Sequence, residues 1–425
     1  MDRKSLSVWL ITVGEPLPLE GNTSRLWRSG LIADTLVGRG HKVTWWTSTV
    51  NHFNKQFFVT SSQQVAVRRG LTLQFLHGPL YKKNISVARW RNHLEIAREF
   101  ARIAAGRPPP DLILCSYPTI ELSVEAVHYG DANGVPVLLD IRDLWPDELA
   151  ARLPGPLRPA APYLLWPMYR NARRALGGAS GIVAISETYL AWALRFGMRT
   201  AGRWDRFVPM GYEAAALTRT VPEQVGERLR ALGVDPTRRI VWFCGTFVGS
   251  IDLQTAIRAA ALLSDDCDVQ FVLTGSGEWE PQLRAQAQGL TNVIFTGWAN
   301  RDELAWLASQ AWVGLGAYKK GAMMSLPNKI FEYMAASLPV LCCLEGEAKA
   351  LIEHHGIGAT YAAADAAGLA GRIRELAADP QARQRLSSNA QNVFRRHFAA
   401  DIVYAGLAEH IEQCAASWAG GRPSQ

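Results

Sequence analysis

The sequence predicts an α/β protein made of two doubly wound parallel-sheet domains, and three observations lead there. The chain has 425 residues, which suits two domains of roughly 100–200 residues better than one core. Short β-rich runs alternate with amphipathic stretches in both halves, the rhythm of parallel strands joined by covering helices. Apolar residues make up 48% and charged residues 20%, values that argue against a disordered, collagenous or coiled-coil chain.

The expected strands of the first half are SVWLITV, KVTWWTST, LTLQFL, DLILCS, PVLLDI and GIVAIS, with helical stretches such as RLWRSGLIADTLVGRG between them. The second half repeats the pattern with RIVWFCG, DVQFVLTG, NVIFTG, AWVGLGAY, LPVLCC and GATYA. The charged segment 212–238, containing Pro222 and Pro236, is the expected connector. The predicted organisation is therefore a Rossmann-like domain over 1–211, a linker over 212–238, a second Rossmann-like domain over 239–397, and a final helix over 398–425 that could fold back across the first domain. Ligands of such sheets bind at the C-terminal ends of the strands, so two such domains facing across a cleft would hold one substrate each.

Several function classes lose ground at once. Six cysteines form no C-x-x-C pair, and Cys115, Cys244, Cys342 and Cys343 lie in apolar runs where the thiol acts as a small hydrophobe. The nine histidines show no metal-ligand spacing, so no metal is expected. No run approaches the roughly 20 apolar residues of a membrane-spanning helix, and the first residues lead into a strand rather than a signal peptide. A cytoplasmic location is the expectation.

Charge is unevenly placed. Residues 1–210 hold 26 Lys and Arg against 16 Asp and Glu, whereas residues 211–425 hold 19 against 22. No acidic residue occurs between Glu148 and Glu187, a stretch with Arg152, Arg158, Arg170, Arg173 and Arg174 around YLLWPMY. A second segment, 81–107, interleaves Trp90 and Phe100 with seven Lys and Arg. Cations mixed with aromatic rings suit an anionic membrane surface; a solvated helical face is the alternative. No nucleic-acid-binding pattern accompanies the charge.

The segment SLPNKIFEYMAASLPVL, residues 325–341, is the most informative. Pro327 suits the first turn of a helix, and the helix must stop near Leu338-Pro339. Free N–H groups at its start, with Lys329 nearby, make an anion site suited to a diphosphate. Glu332 follows one turn later among apolar neighbours, where it requires a partner: either ribose hydroxyls or an i,i+3 pair with Lys329. Gly275-Ser276-Gly277 is equally open, either a phosphate loop or a tight strand-to-helix turn.

PNKIFEYMAASLPVL resembles the C-terminal signature of the family 4 glycosyltransferases, retaining enzymes of the GT-B fold. The resemblance extends through GEPLPLEGNTSRLWRSGLIADTLVGRGHKVTWWTS, VLLDIRDLWPDEL, GIVAIS, VPMGYE, FVLTGSGEWEPQL, NVIFTGW and GAYKKGAMMSLPNKIFEYM, which stand in family order. The nearest subgroup is that of fucosamine-type aminosugar transferases of bacterial surface-polysaccharide assembly, as in O-antigen or capsule.

This resemblance implies a nucleotide-sugar donor, with UDP as its nucleotide, a polyprenyl diphosphate-linked saccharide acceptor and an enzyme at the inner face of the plasma membrane. It implies that Glu332 holds the ribose, that Leu326, Pro327, Asn328 and Lys329 present donors to the diphosphate, and that Gly297 and Trp298 face the base. Gly245, Thr246 and Gly275 fall in the donor-side loops, and Gly21, Arg25 and Arg28 in the N-terminal turn bordering the donor. Asp143 occupies the acceptor-side loop and Lys329 the leaving-group side, so these two and Glu332 are the expected catalytic set. Three departures stand out. Met324 replaces the first glutamate of the E-x7-E motif, CGTFVGSIDLQ lacks the usual Arg and Lys, and the N-terminal loop has one glycine where two are common. Lys319, Lys320 and Lys329 are then the nearest cations for the diphosphate, along with Arg25 and Arg28 across the cleft. A sugar-nucleotide epimerase of the same fold, or a non-catalytic sugar-binding partner, are the rival readings.

Overall fold

A computed structural model describes residues 5–19, 25–264 and 268–419. Two units divide the chain: residues up to Pro209 together with those from Val403 onward, and Met210–Ile402.

The first unit is an eight-stranded sheet built from β1 (Ser7–Ile11), β2 (Lys42–Ser48), β3 (Gln64–Arg68), β4 (Leu71–Leu76), β5 (Leu112–Tyr117), β6 (Val137–Ile141), β7 (Gly181–Ala184) and β8 (Arg206–Phe207). The order across the sheet is β3-β4-β2-β1-β5-β6-β7-β8. All neighbours are parallel except β3 against β4. The central strands β5, β6 and β7 are buried along their whole length, which is why they read as continuous apolar runs rather than alternating ones. Trp9, Trp46 and Phe100 fill the layer between the sheet and the helix Val87–Ala104.

The second unit is a six-stranded parallel sheet of β9 (Arg239–Cys244), β10 (Val269–Thr274), β11 (Val293–Gly297), β12 (Ala311–Gly316), β13 (Val340–Cys342) and β14 (Gly358–Thr360), in the order β11-β10-β9-β12-β13-β14. Strand order therefore reverses between β9 and β12 here and between β1 and β5 in the first unit. At such a reversal the flanking loops leave in opposite directions and open a crevice at the C-terminal edge.

The segment 212–238 is more than a connector. It carries the helix Glu223–Ala231 and lies wholly in the second unit. Leu217, Leu229 and Val234 join that unit's core. The last helix, Ala400–Ala419, begins in the second unit and from Val403 belongs to the first. There Arg39 donates two hydrogen bonds of 2.8 Å to Glu412.

Candidate functional site

The second sheet's C-terminal edge is assembled by glycine. Gly245 and Gly275 follow β9 and β10 at φ +148° and +133°, values that L side chains rarely adopt. A Cβ on Gly275 would collide with the carbonyl oxygen of Gly245, and one on Gly277 with the backbone of Phe247. This close approach lets the loops bond to each other: Gly245 N–H donates to Thr274 O at 2.9 Å, Gly275 N–H to Gly297 O at 2.8 Å, and Phe247 N–H to Ser276 O at 2.9 Å. Gly275-Ser276-Gly277 thus serves at least as the tight turn. Gly297, at φ +72°, has open space around its missing side chain, and Trp298 beside it is 70% exposed.

The loops after β9 and β12 also clasp. Ile251 pairs with Tyr318 as an antiparallel bridge, and Lys319 N–H donates to Ser250 O at 3.0 Å. The loop after β12 then enters the helix Asn328–Ala335, with Pro327 as its N-cap rather than its first helical residue. No side chain caps this helix. Its first N–H groups stand at the β9/β12 crevice, where the dipole's positive end favours an anion. Ile330, Phe331, Tyr333 and Met334 are buried, and the Tyr333 hydroxyl donates to Leu315 O at 3.0 Å, fixing the helix against β12.

Lys329 reaches back over β9. Its Nζ lies 5.0 Å from the Phe243 ring centroid and in the notch left by Gly245, where a Cβ would strike it. Glu332 is half-buried one turn on. Of the two partners proposed for it, Lys329 is not the one: no ion pair joins them among the described residues, although both charges act on the half-buried Cys244, whose thiol desolvation and Glu332 push up to about 12. Lys319 stacks 4.1 Å from the Trp279 ring centroid. Lys320, Asn328 and Thr246 are exposed, Leu326 is half-buried and Pro327 is buried. The second unit thereby collects Gly245, Thr246, Gly275, Gly297, Trp298, Lys319, Lys320 and the run 326–332 around one sheet edge.

The first unit treats its expected residues differently. Gly21 lies outside the described residues, and Arg25 is half-buried just before the helix Arg28–Gly38. Arg28 corrects the sequence expectation of a free cation beside the donor. It is 1% exposed, bonds Asp140 through Nε and Nη2 at 3.0–3.1 Å and Pro209 O through Nη1 at 2.7 Å. Arg142 binds the other side of Asp140 and also Glu15, which in turn accepts from Ser29 N–H at 3.0 Å. Burial disfavours the Asp140 carboxylate, but the two guanidinium groups outweigh that cost and hold it below its usual range. Asp140 carries its own sequence signal, a carboxylate inside the apolar strand VLLDI that burial obliges to find a partner.

Asp143 sits two residues past β6. It is exposed, yet desolvation by the surrounding protein and the Glu148 charge push its carboxyl up to about 7 against the pull of Arg142, Arg89 and Arg152. That value suits a group exchanging protons near neutrality. The sequence offered no sign that Arg89 acts on it, nor of the buried groups that line the helix of Arg89. His93 is buried and lowered to about 3, first by burial and then by Arg89, and Glu121 accepts a 2.9 Å bond from Trp90 Nε1.

Among the described residues no group of three His, Cys, Asp or Glu could hold a metal ion. The five cysteines described are free thiols.

Residues 238–379 match the family described as glycosyl transferases group 1. No curated protein matches the chain. Solved structures do, at low identity. The Anabaena protein HepE in complex with UDP is 16% identical, with 96% of this chain and 100% of that one covered and a TM-score of 0.67. Sucrose-phosphate synthase from Thermosynechococcus elongatus is 17% identical over 97% and 100%, with a TM-score of 0.69. WaaG, a glycosyltransferase involved in lipopolysaccharide biosynthesis, is 15% identical over 96% and 99%, with a TM-score of 0.63. The fold is accordingly GT-B, two parallel-sheet α/β domains.

Proposed function

We propose that the chain is a retaining glycosyltransferase that needs no metal and moves a sugar, an N-acetylated aminosugar by the closest sequence resemblance, from a UDP-linked donor to a lipid-linked saccharide. The setting is bacterial surface-polysaccharide synthesis at the inner face of the plasma membrane. One observation carries the reading: at the β9/β12 crevice an uncapped helix start, Lys329 in its glycine notch and Glu332, which has no ion-pair partner among the described residues, converge. Their spacing offers an anion site and, one turn away, an acceptor of hydroxyl hydrogen bonds, which is the polarity of a nucleoside diphosphate. Solved neighbours that bind UDP or UDP-glucose support the choice of nucleotide.

As the donor's anomeric bond ionises, charge gathers on the leaving diphosphate. Fixed N–H dipoles at Asn328 and the Lys329 ammonium then stabilise the transition state more than the ground state. Asp143 takes the proton of the acceptor hydroxyl. Because the first E-x7-E glutamate is Met324, the donor sugar is held by groups other than a carboxylate there.

Incubation with a panel of sugar nucleotides, with and without a prenyl diphosphate-linked saccharide, tests the proposal. Free nucleotide that appears only with the acceptor is the expected result. An isomerised donor would indicate an epimerase, and no turnover a sugar-binding partner.

A further inference from the structure

We infer that a cavity in the first unit, between the start of the helix Val87–Ala104 and the segment 145–168, takes the first isoprene units of a prenyl acceptor lipid, with the lipid's phosphate at Arg89 and its saccharide toward Asp143. The inference rests on the transferase reading and adds the lipid's own binding site to it.

The cavity has a volume of about 480 Å³, and its walls include Ile85, Val87, Trp145, Leu149, Leu164 and Met168. That volume falls within the roughly 300–1,000 Å³ of pockets that enclose small ligands, most of them apolar with a few placed polar groups. Here the polar groups are few and mostly satisfied. Trp90 Nε1 is bonded to Glu121, and His93 is held neutral by burial. Neither repels a hydrocarbon.

Arg89 is different. It stands 5.2 Å from the Trp145 ring centroid, its Nη1 donates to Asn84 O at 2.7 Å, and its Nε is buried with no hydrogen-bond partner among the described residues. It is also one of the cations acting on Asp143. One guanidinium therefore links the apolar cavity to the acceptor-side carboxyl.

The rim points the same way. Val87 is 78% exposed, Leu164 57%, and Tyr163 and Trp166, which flank Leu164-Leu165 in the chain, 83% and 60%. Large apolar groups gathered this way mark a surface that meets something apolar. Exposed Lys82 and Lys83 precede the cavity, and exposed Arg170, Arg173 and Arg174 follow it, on a stretch without acidic residues. The complementary ligand is a hydrocarbon chain with an anionic end.

Calorimetric titration of the full chain with farnesyl diphosphate tests this, with UDP titrated into the same preparations. Wild type should bind farnesyl diphosphate. Val87→Glu and Leu164→Glu should each weaken that binding at least tenfold and leave UDP affinity unchanged. Both sites are exposed, and a glutamate at the first position of a helix suits its dipole, so both variants should fold. Arg89→Gln should weaken farnesyl diphosphate but not farnesol. No binding by wild type, or equal binding by both glutamate variants, overturns the inference. So does binding of phosphatidylglycerol vesicles that is lost in those variants but is not competed by farnesyl diphosphate, since bulk acyl chains would then be the occupant. Loss of UDP binding alone, with farnesyl diphosphate retained, would sink the transferase reading and leave the cavity standing.

Discussion

The two sheets share a topology but use their C-terminal edges in opposite ways. At the first, Glu15, Arg28, Asp140 and Arg142 lie close together and pair with one another. At the second, Lys329 and Glu332 have no ion-pair partner among the described residues, and glycines keep the backbone clear for close approach. Charges that satisfy each other hold a scaffold in place. Charges left unpaired beside a glycine-lined crevice are, in the proposed reading, those that meet the donor. An identical edge position in the fold thus says little about function until the partners of each charge are counted.

Breaking the first edge should have the largest effect. Asp140→Ala leaves the fully buried Arg28 without its counter-ion, and removing one member of a buried ion pair costs about 3–5 kcal/mol. Urea denaturation should show that loss, while UDP affinity, which belongs to the second unit in the proposed reading, stays within twofold in the folded fraction. Breaking the second edge should do the reverse. Lys329→Ala should lower kcat/KM by about 10²-fold, the size expected for one preorganised electrostatic donor, with an unchanged denaturation midpoint. A stability loss of the Asp140 kind at Lys329 would erase the distinction between the edges.

Smaller effects sharpen the contrast. In the proposed reading Glu332→Gln removes a charge-assisted contact to ribose, and UDP should bind at least tenfold more weakly, about 1.5 kcal/mol at the low end for hydrogen bonds to charged groups. Equal affinities would show that Glu332 does not touch the nucleotide. Asp143 sets the last test. As a base it must be ionised, and its raised value near 7 means that kcat/KM should climb about tenfold between pH 6 and pH 8, then level off. Asp143→Asn should remove that limb. A wild-type profile flat across the range would assign the proton to another acceptor.

Most of the fold was legible because central parallel strands, buried on both faces, must be continuous apolar runs. The two strands that escaped notice show the limit. QVAVR (β3) is a short antiparallel edge strand with Gln64, Ala66 and Arg68 exposed and no fully buried residue, and β8 is only Arg206–Phe207. The second-unit candidate site could be named from local pattern alone, since the helix start, Lys329 and Glu332 lie within five residues. The first-unit network was not, since Arg28 and Asp140 are 112 residues apart and Glu15 and Arg142 are 127 apart. Local pattern reads Arg28 as an available cation, and only the VLLDI carboxylate hints that it is taken. The influence of Arg89 on Asp143 escaped notice for the same reason, distance along the chain.

The last helix has a consequence for how the molecule is made. Synthesis runs from the N-terminus, so every residue of the second unit leaves the ribosome before Val403. Yet Tyr404, Leu407, Ile411 and Cys414 are buried on joining the first unit, where Glu412 meets Arg39 and His41. The unit begun first is therefore completed last, and in the interval its unfinished surface must stay free of aggregation while a whole second unit is translated and folded.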